Sequence, residues 1–377
     1  MRVLHVMEAT IGGTRRHIGD VAAGQVARGI EVHLAVSTER QPEFEGDLRR
    51  LERMGVSVMR LPMVRAIRPS VDFAHVRALA RHMESVRPDV VHTHSSKAGV
   101  LGRAASIASG VGKRVHTPHT FAFLFDAMFS PLKRRLFRGI EAHLSAETQA
   151  VIAVSSSEAR TFRSSGVVPE SRIRVVPNGI DPAPWTSAQP IDRLSLGVAD
   201  GEPLAAVVGL LNVAKGQDLA LEMLAQPGFE RLHILFAGHG EMRDELESEA
   251  RTLGVAARVR FLGFRSDVPA LLATADFTLV PSRWEGMPYI VMESMACGRP
   301  VVATAVDGAR DLVEPGVTGE LAREITSASL AEATLALLAR SPAERARMGA
   351  LGRERVLARH TAARMIDDMI DVYREIA

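Results

Sequence analysis

The sequence predicts an α/β protein of two doubly wound domains, and three observations carry that expectation. Apolar strands recur between helical patterns at the spacing of βαβ units along nearly the whole chain. A turn-rich stretch without periodicity, Val176-Pro177-Asn178-Gly179-Ile180-Asp181-Pro182-Ala183-Pro184-Trp185, interrupts the alternation near the middle and reads as a hinge. With 377 residues, 46% of them hydrophobic, the chain can fill two cores of ordinary size. The expected domains are 1–180 and 181–360, followed by a last helix at 361–377.

In the first half, Arg2–Met7 reads as a strand running through Gly12-Gly13 into a helix that starts near Arg15. A glycine pair between a first strand and a first helix permits close backbone approach to a ligand, although a plain tight turn gives the same pattern. Further strands are expected at Glu31–Val36, Val56–Leu61, Asp89–Val91, Lys113–Thr117, Val151–Val154 and Ile173–Val176. His92-Thr93-His94-Ser95-Ser96-Lys97-Ala98-Gly99 follows one of them, and His116-Thr117-Pro118-His119-Thr120-Phe121 overlaps the end of another. Both runs place histidines at strand carboxyl ends, where a doubly wound sheet keeps its ligand site. His92, His94, His116 and His119 could converge on zinc. No further cysteine or nearby carboxylate pattern accompanies them, and no metal is expected.

Between Ser130 and Ser145, Leu132, Leu136, Ile140 and Leu144 recur at four-residue spacing among Lys133, Arg134, Arg135 and Arg138. Such a basic amphipathic helix either lies on an anionic membrane or packs its stripe on its own domain.

The second half repeats the alternation. Ala205–Val208 runs into Gly209-Leu210-Leu211-Asn212-Val213-Ala214-Lys215-Gly216, His233–Ala237 into Gly238-His239-Gly240-Glu241, and Val259–Leu262 into Gly263-Phe264-Arg265-Ser266-Asp267. The most informative unit starts at Phe277–Val280. A loop carrying Glu285 and Gly286 follows, then a helix opened by Pro288 and closed by Gly298, then a strand at Val301. The helix start offers free N–H groups and a positive dipole end, which suit a phosphate. Glu285 and Glu293, eight residues apart, can face the same crevice, and two carboxylates beside an anion site suggest hydroxyl partners.

Net charge is only +2, but residues 1–180 hold 26 Lys and Arg against 16 Asp and Glu, whereas residues 181–377 hold 20 against 28. A basic half suggests an anionic partner, or halves that attract each other across a cleft. Aromatic residues are scarce, 5%, without the basic-aromatic interleaving that single-stranded nucleic acid prefers, so nucleic acid is set aside. No apolar run reaches the ~18–20 residues needed to span a bilayer, and the start reads as a strand rather than a signal peptide. A cytoplasmic protein is expected, peripheral to the membrane if the basic helix docks. Cys297, the single cysteine, is expected to be a small buried side chain.

The stretch Glu285-Gly286-Met287-Pro288-Tyr289-Ile290-Val291-Met292-Glu293, continuing through Ser294-Met295-Ala296-Cys297-Gly298-Arg299-Pro300, resembles the signature of the retaining glycosyltransferases of family 4, which have the GT-B fold. The histidine-bearing runs of the first half resemble members that build bacterial surface polysaccharides, which more often read His-Gly-Phe where this chain has His119-Thr120-Phe121. The resemblance implies two Rossmann-like domains facing a central cleft, with the last helix crossing back to the first domain. It implies a retaining hexosyl or N-acetylhexosaminyl transfer from a nucleotide-diphosphate sugar, UDP favoured, without a metal or other cofactor.

As implied roles, Glu285 contacts the donor sugar, Glu293 holds the ribose, Lys215 neutralises the leaving diphosphate and His119 lies against the sugar and its phosphate. Gly12 and Gly13 lie near the donor phosphates, with Arg16 as an anion contact. Gly238 borders the nucleotide, Phe264 and Arg265 flank the base, and Gly286, Met287, Pro288 and Tyr289 complete the donor loop. Leu210 stands where the family usually has arginine; Arg265 or a basic group of the first domain would have to substitute. Otherwise the chain would be a catalytically weak or inactive sugar-nucleotide-binding protein serving as a regulatory or structural subunit. The expected acceptor is a polyprenyl-diphosphate-linked saccharide at the inner membrane face, with Lys133, Arg134, Arg135 and Arg138 on the membrane side; a soluble small acceptor is the alternative.

Overall fold

The computed structural model describes residues 1–126 and 128–376. The chain forms two compact units, one of Met1–Asn178 together with the segment from Ala362 onward, the other of Gly179–Thr361. Each unit is built on one parallel sheet with helices between successive strands, the alternation that the sequence pattern predicts.

The first sheet contains β1 (Arg2–Met7), β2 (Glu31–Val36), β3 (Ser57–Arg60), β4 (Val90–His94), β5 (Lys113–Thr117), β6 (Ala150–Ala153) and β7 (Ile173–Val175), in the order β3-β2-β1-β4-β5-β6-β7. Strand order reverses between β1 and β4, so the crevice of a doubly wound sheet opens there. Val3, Met7, Val32 and Leu34 pack on one side against the helix Gly12–Val26 and the last helix, Ala362–Ile376, through Ile18, Met365, Ile366 and Met369. Leu4, Val6 and Val91 pack on the other with the helices Pro69–Val86 and Ser96–Ser109.

The second sheet contains β8 (Leu204–Val208), β9 (His233–Ala237), β10 (Val259–Gly263), β11 (Phe277–Val280), β12 (Val301–Thr304) and β13 (Gly319–Ala322), in the order β10-β9-β8-β11-β12-β13. Its switch point lies between β8 and β11. Among the described residues, no helix is long and apolar enough to cross a membrane.

Three local expectations need correction. The first helix begins at Gly12, not near Arg15, so Gly12 (φ 56°) and Gly13 belong to its exposed first turn. β4 extends to His94, so His92 and His94 lie within the strand; strand alternation then puts both on one face. The signature helix runs Tyr289–Ala296 with Pro288 as an extended N-cap, and Cys297 is its half-buried C-cap, its thiol pushed up to about 12 by burial.

The basic helix, Pro131–Ala146, divides the two expectations for it. Leu144 is buried and Ile140 half-buried on the unit's own core side, but Leu132 and Leu136 are 79% and 58% exposed. Arg134 Nε donates to Phe123 O at 2.8 Å and Arg138 Nη2 to Ser165 O at 2.5 Å, leaving Lys133 and Arg135 as its most solvent-facing cations. The helix is fastened by a fully buried ion pair, Arg103 Nη2 to Glu141 Oε2 at 2.7 Å, in which Arg103 Nε also donates to Gly99 O.

Candidate active site

In the second unit, the loops after β8, β9 and β11 come together at the carboxyl ends of their strands. Gly209 donates its N–H to Ala237 O at 3.0 Å, and Leu211 its N–H to His239 O at 2.9 Å. Glycine is required here by contact: a Cβ at Gly238 would lie 1.8 Å from Gly209 O, and one at Gly216 would lie 2.1 Å from Pro281 O. Asn212 caps the short turn Val213–Lys215 by accepting from the Lys215 N–H. The turn aims Lys215 across to the signature loop, where its Nζ lies 2.6 Å from Glu285 Oε1. Ser282 Oγ donates to the same oxygen at 2.8 Å.

Arg283 holds the loop from its other side. It bridges Asp218 through both guanidinium ends, and its Nη1 donates to Val213 O at 3.0 Å. Thus two ion pairs, Lys215–Glu285 and Arg283–Asp218, tie the loop after β8 and the start of the helix Gln217–Leu224 to the loop after β11. Ser282, Asp218 and Arg283 were not singled out from sequence, since only tertiary folding brings Asp218 within reach.

Glu293 is buried on the helix Tyr289–Ala296, one turn beyond its N-terminal end, and Gly286, Met287 and Pro288 are buried in the loop before it. A Cβ at Gly308 would lie 2.4 Å from Met287 Cα, so the loop after β12 presses directly on the signature backbone. Phe264 is 72% exposed, an apolar face at the end of β10. Arg265 Nε and Nη2 are engaged by Asp267 at 2.7 and 2.5 Å. Leu210 contributes its carbonyl, which accepts from Gln217 Nε2 at 2.8 Å.

In the first unit, the histidines regroup. β5 pairs His116 with Thr93, so His116 lies on the face opposite His92 and His94, where its Nδ1 meets Thr93 Oγ1 at 2.9 Å. His5 of β1 and His17 of the first helix, which sequence reasoning did not single out, take its place beside His92, His94 and His119. His5 Nδ1 lies 3.0 Å from His94 Nε2, and His5 Nε2 lies 2.9 Å from Gln25 Oε1. His92 meets Tyr373 OH at 2.5 Å and Thr117 Oγ1 at 2.8 Å. Burial disfavours the charged ring, holding His5 and His119 down to about 4 and His17, His92 and His94 well below the usual imidazole range.

His119 follows β5 with φ 50°, and Thr120 has φ 80°, a left-handed conformation rare for a β-branched residue. Glu158 holds it there, accepting the Thr120 N–H at 2.8 Å and the Val154 N–H at 2.7 Å. Of the other residues proposed for ligands, Arg16 pairs with Asp20 at 3.4 Å.

Two Rossmann-like domains with a Lys–Glu pair and a helix start at the second switch point are the parts of a GT-B glycosyltransferase, and comparison with known proteins agrees. Residues 11–184 match the family described as Glycosyltransferase Family 4, and residues 189–355 match Glycosyl transferases group 1. The chain is 32% identical over 343 residues to the D-inositol 3-phosphate glycosyltransferase of Actinosynnema mirum, covering 82% of this chain and 80% of the relative. It is 28% identical to the UDP-Gal:alpha-D-GlcNAc-diphosphoundecaprenol alpha-1,3-galactosyltransferase of Escherichia coli over 66% of each chain. HepE of Anabaena, solved in complex with UDP-glucose, shares the fold across 100% of both chains with a TM-score of 0.81 at 23% identity. The protein belongs to the glycosyltransferases, with a family 4 domain followed by a group 1 domain.

Proposed function

We propose that the protein transfers a hexosyl or N-acetylhexosaminyl group, with retention, from a nucleotide-diphosphate sugar to a polyprenyl-diphosphate-linked saccharide in surface-polysaccharide assembly. The observation that carries the donor half is the Lys215–Glu285 pair beside the start of the helix Tyr289–Ala296. A diphosphate arriving there exchanges places with the carboxylate as partner of Lys215, and Glu285 is released toward the sugar hydroxyls. As the sugar–phosphate bond breaks, Lys215 and the helix dipole meet the charge that gathers on the leaving group. Glu293 holds the ribose, Phe264 and Arg265 flank the base, and His119 keeps the role the resemblance implies, contact with the transferred sugar. The acceptor hydroxyl attacks from the face that the diphosphate leaves and passes its proton to the departing phosphate, with no metal in the step.

UDP is favoured as the donor nucleotide because the Escherichia coli relative is named for UDP-Gal, and that relative's lipid-diphosphate acceptor supports the acceptor class. The helix Pro131–Ala146 supports a membrane side, since exposed Leu132 and Leu136 alternate with Lys133 and Arg135 in the manner of a helix that rests on anionic lipid.

The test is to incubate the purified protein with UDP-sugars and an undecaprenyl-diphosphate-linked saccharide, following UDP release and the anomeric configuration of the product. Acceptor-dependent release with a retained anomer is expected. An inverted anomer, or release that no lipid-linked acceptor stimulates while a soluble sugar does, would overturn the mechanism or the acceptor respectively.

A further inference from the structure

We propose that His17, His94 and His119 form a binding site for a zinc-class divalent ion, with three imidazole ligands and a fourth position open.

The three rings come from separate elements of the first unit: the helix Gly12–Val26, the end of β4, and the turn after β5. One ring nitrogen of each lies within 4.8 Å of the corresponding atom of the other two. His94 Nδ1 and His119 Nε2 are 3.4 Å apart. That is long for a hydrogen bond, but two imidazole nitrogens bound tetrahedrally at about 2.0–2.1 Å from one ion stand about 3.3–3.4 Å apart.

The hydrogen-bond network around His94 selects the tautomer a metal requires. Gln25 Nε2 faces Tyr373 OH at 3.3 Å, which leaves Gln25 Oε1 as acceptor toward His5 Nε2. His5 Nε2 therefore carries the hydrogen and His5 Nδ1 accepts, so the hydrogen of His94 is on Nε2. The lone pair of His94 is left on Nδ1, the atom nearest His119. A ligand histidine whose second nitrogen donates to a fixed partner is the usual arrangement behind a bound metal. Asn178 also hydrogen-bonds the His17 ring.

The neighbouring trio His5, His92 and His94 is less suited, because both nitrogens of His92 are engaged, by Tyr373 and Thr117, and both of His5, by Gln25 and His94. An all-nitrogen set favours zinc, copper, nickel or cobalt over magnesium, calcium or manganese. His119 is the least buried ring of the three and provides the route of exchange. Three protein ligands with one position left to water is the composition of an exchangeable site rather than of a closed structural one.

The experiment uses tag-free, chelator-treated protein titrated with Co²⁺, read by the visible bands of tetrahedral cobalt, and with Zn²⁺ in competition with a chromophoric chelator. One equivalent should bind, with Zn²⁺ displacing Co²⁺ and raising Tm. His119→Ala and His17→Ala should each weaken binding by ~100-fold or more, in line with what even outer-partner losses cost. His143→Ala, an exposed histidine on the basic helix, should leave it unchanged. Absence of tetrahedral bands overturns the proposal, and so does binding that His119→Ala leaves intact while far-UV CD shows the variant folded. The readout is binding, so the proposal stands or falls independently of whether transfer activity is found.

Discussion

Lys215 Nζ lies 2.6 Å from Glu285 Oε1, and that oxygen also accepts from Ser282 Oγ. The cation and the carboxylate proposed for the two ends of the scissile bond therefore neutralise each other before a donor arrives. Lys215→Ala removes the only lysine of the second unit at the point where diphosphate charge is expected to develop. Turnover of the UDP-sugar should fall by ~10²–10³-fold, with the thermal midpoint little changed because the pair is partly exposed. Steady-state UDP release on the variant and a melting curve check both parts.

Leu210→Arg should raise turnover. Two arginines of the site's loops already have carboxylate partners, Arg265 with Asp267 and Arg283 with Asp218. A guanidinium placed after β8 restores a donor whose removal typically costs ~10²-fold. An unchanged rate in the UDP-release assay would mean that another cation already serves the diphosphate.

Thr120→Gly should stabilise the protein by about 1 kcal/mol, the left-handed strain of a β-branched residue exceeding the extra unfolded-state entropy of glycine. Denaturant unfolding measures it. The change also restores the His-Gly-Phe spelling of the surface-polysaccharide enzymes.

Glu141→Ala should destabilise the first unit by ~3–5 kcal/mol, because Arg103 is left charged and fully buried without its partner. Urea unfolding of the variant beside an exposed-pair control, Glu170→Ala, separates this from surface effects; the Arg163–Glu170 pair should contribute less than ~1 kcal/mol.

The fold was legible because parallel strands write themselves as short apolar runs, and the ends of β1, β2, β5, β9 and β11 fall where those runs begin and stop. The glycine-punctuated loops of the second unit were legible as motifs but not as causes. Gly238 reads as a nucleotide border, and only the structure adds its close contact with the Gly209 carbonyl. The histidine group shows the limit most clearly. His92 and His94 share a face by alternation alone, but which residue of β5 pairs with Thr93 is a matter of register, and that register sends His116 to the other side. His5 and His17 sit singly in an apolar strand and a helix, with no local pattern to mark them.

Tyr373 closes the hydrogen-bond network of His92 in a sheet whose strands are all complete by Val175. During synthesis the first sheet is therefore made early and receives its last covering helix last. At ~5–20 residues per second, the intervening second unit takes roughly 10–40 s to emerge. Throughout that interval the face destined for Met365, Ile366, Met369 and Tyr373 remains open. A chain ending at Thr361 would make that interval permanent, leaving the apolar side of β1 and β2 in water.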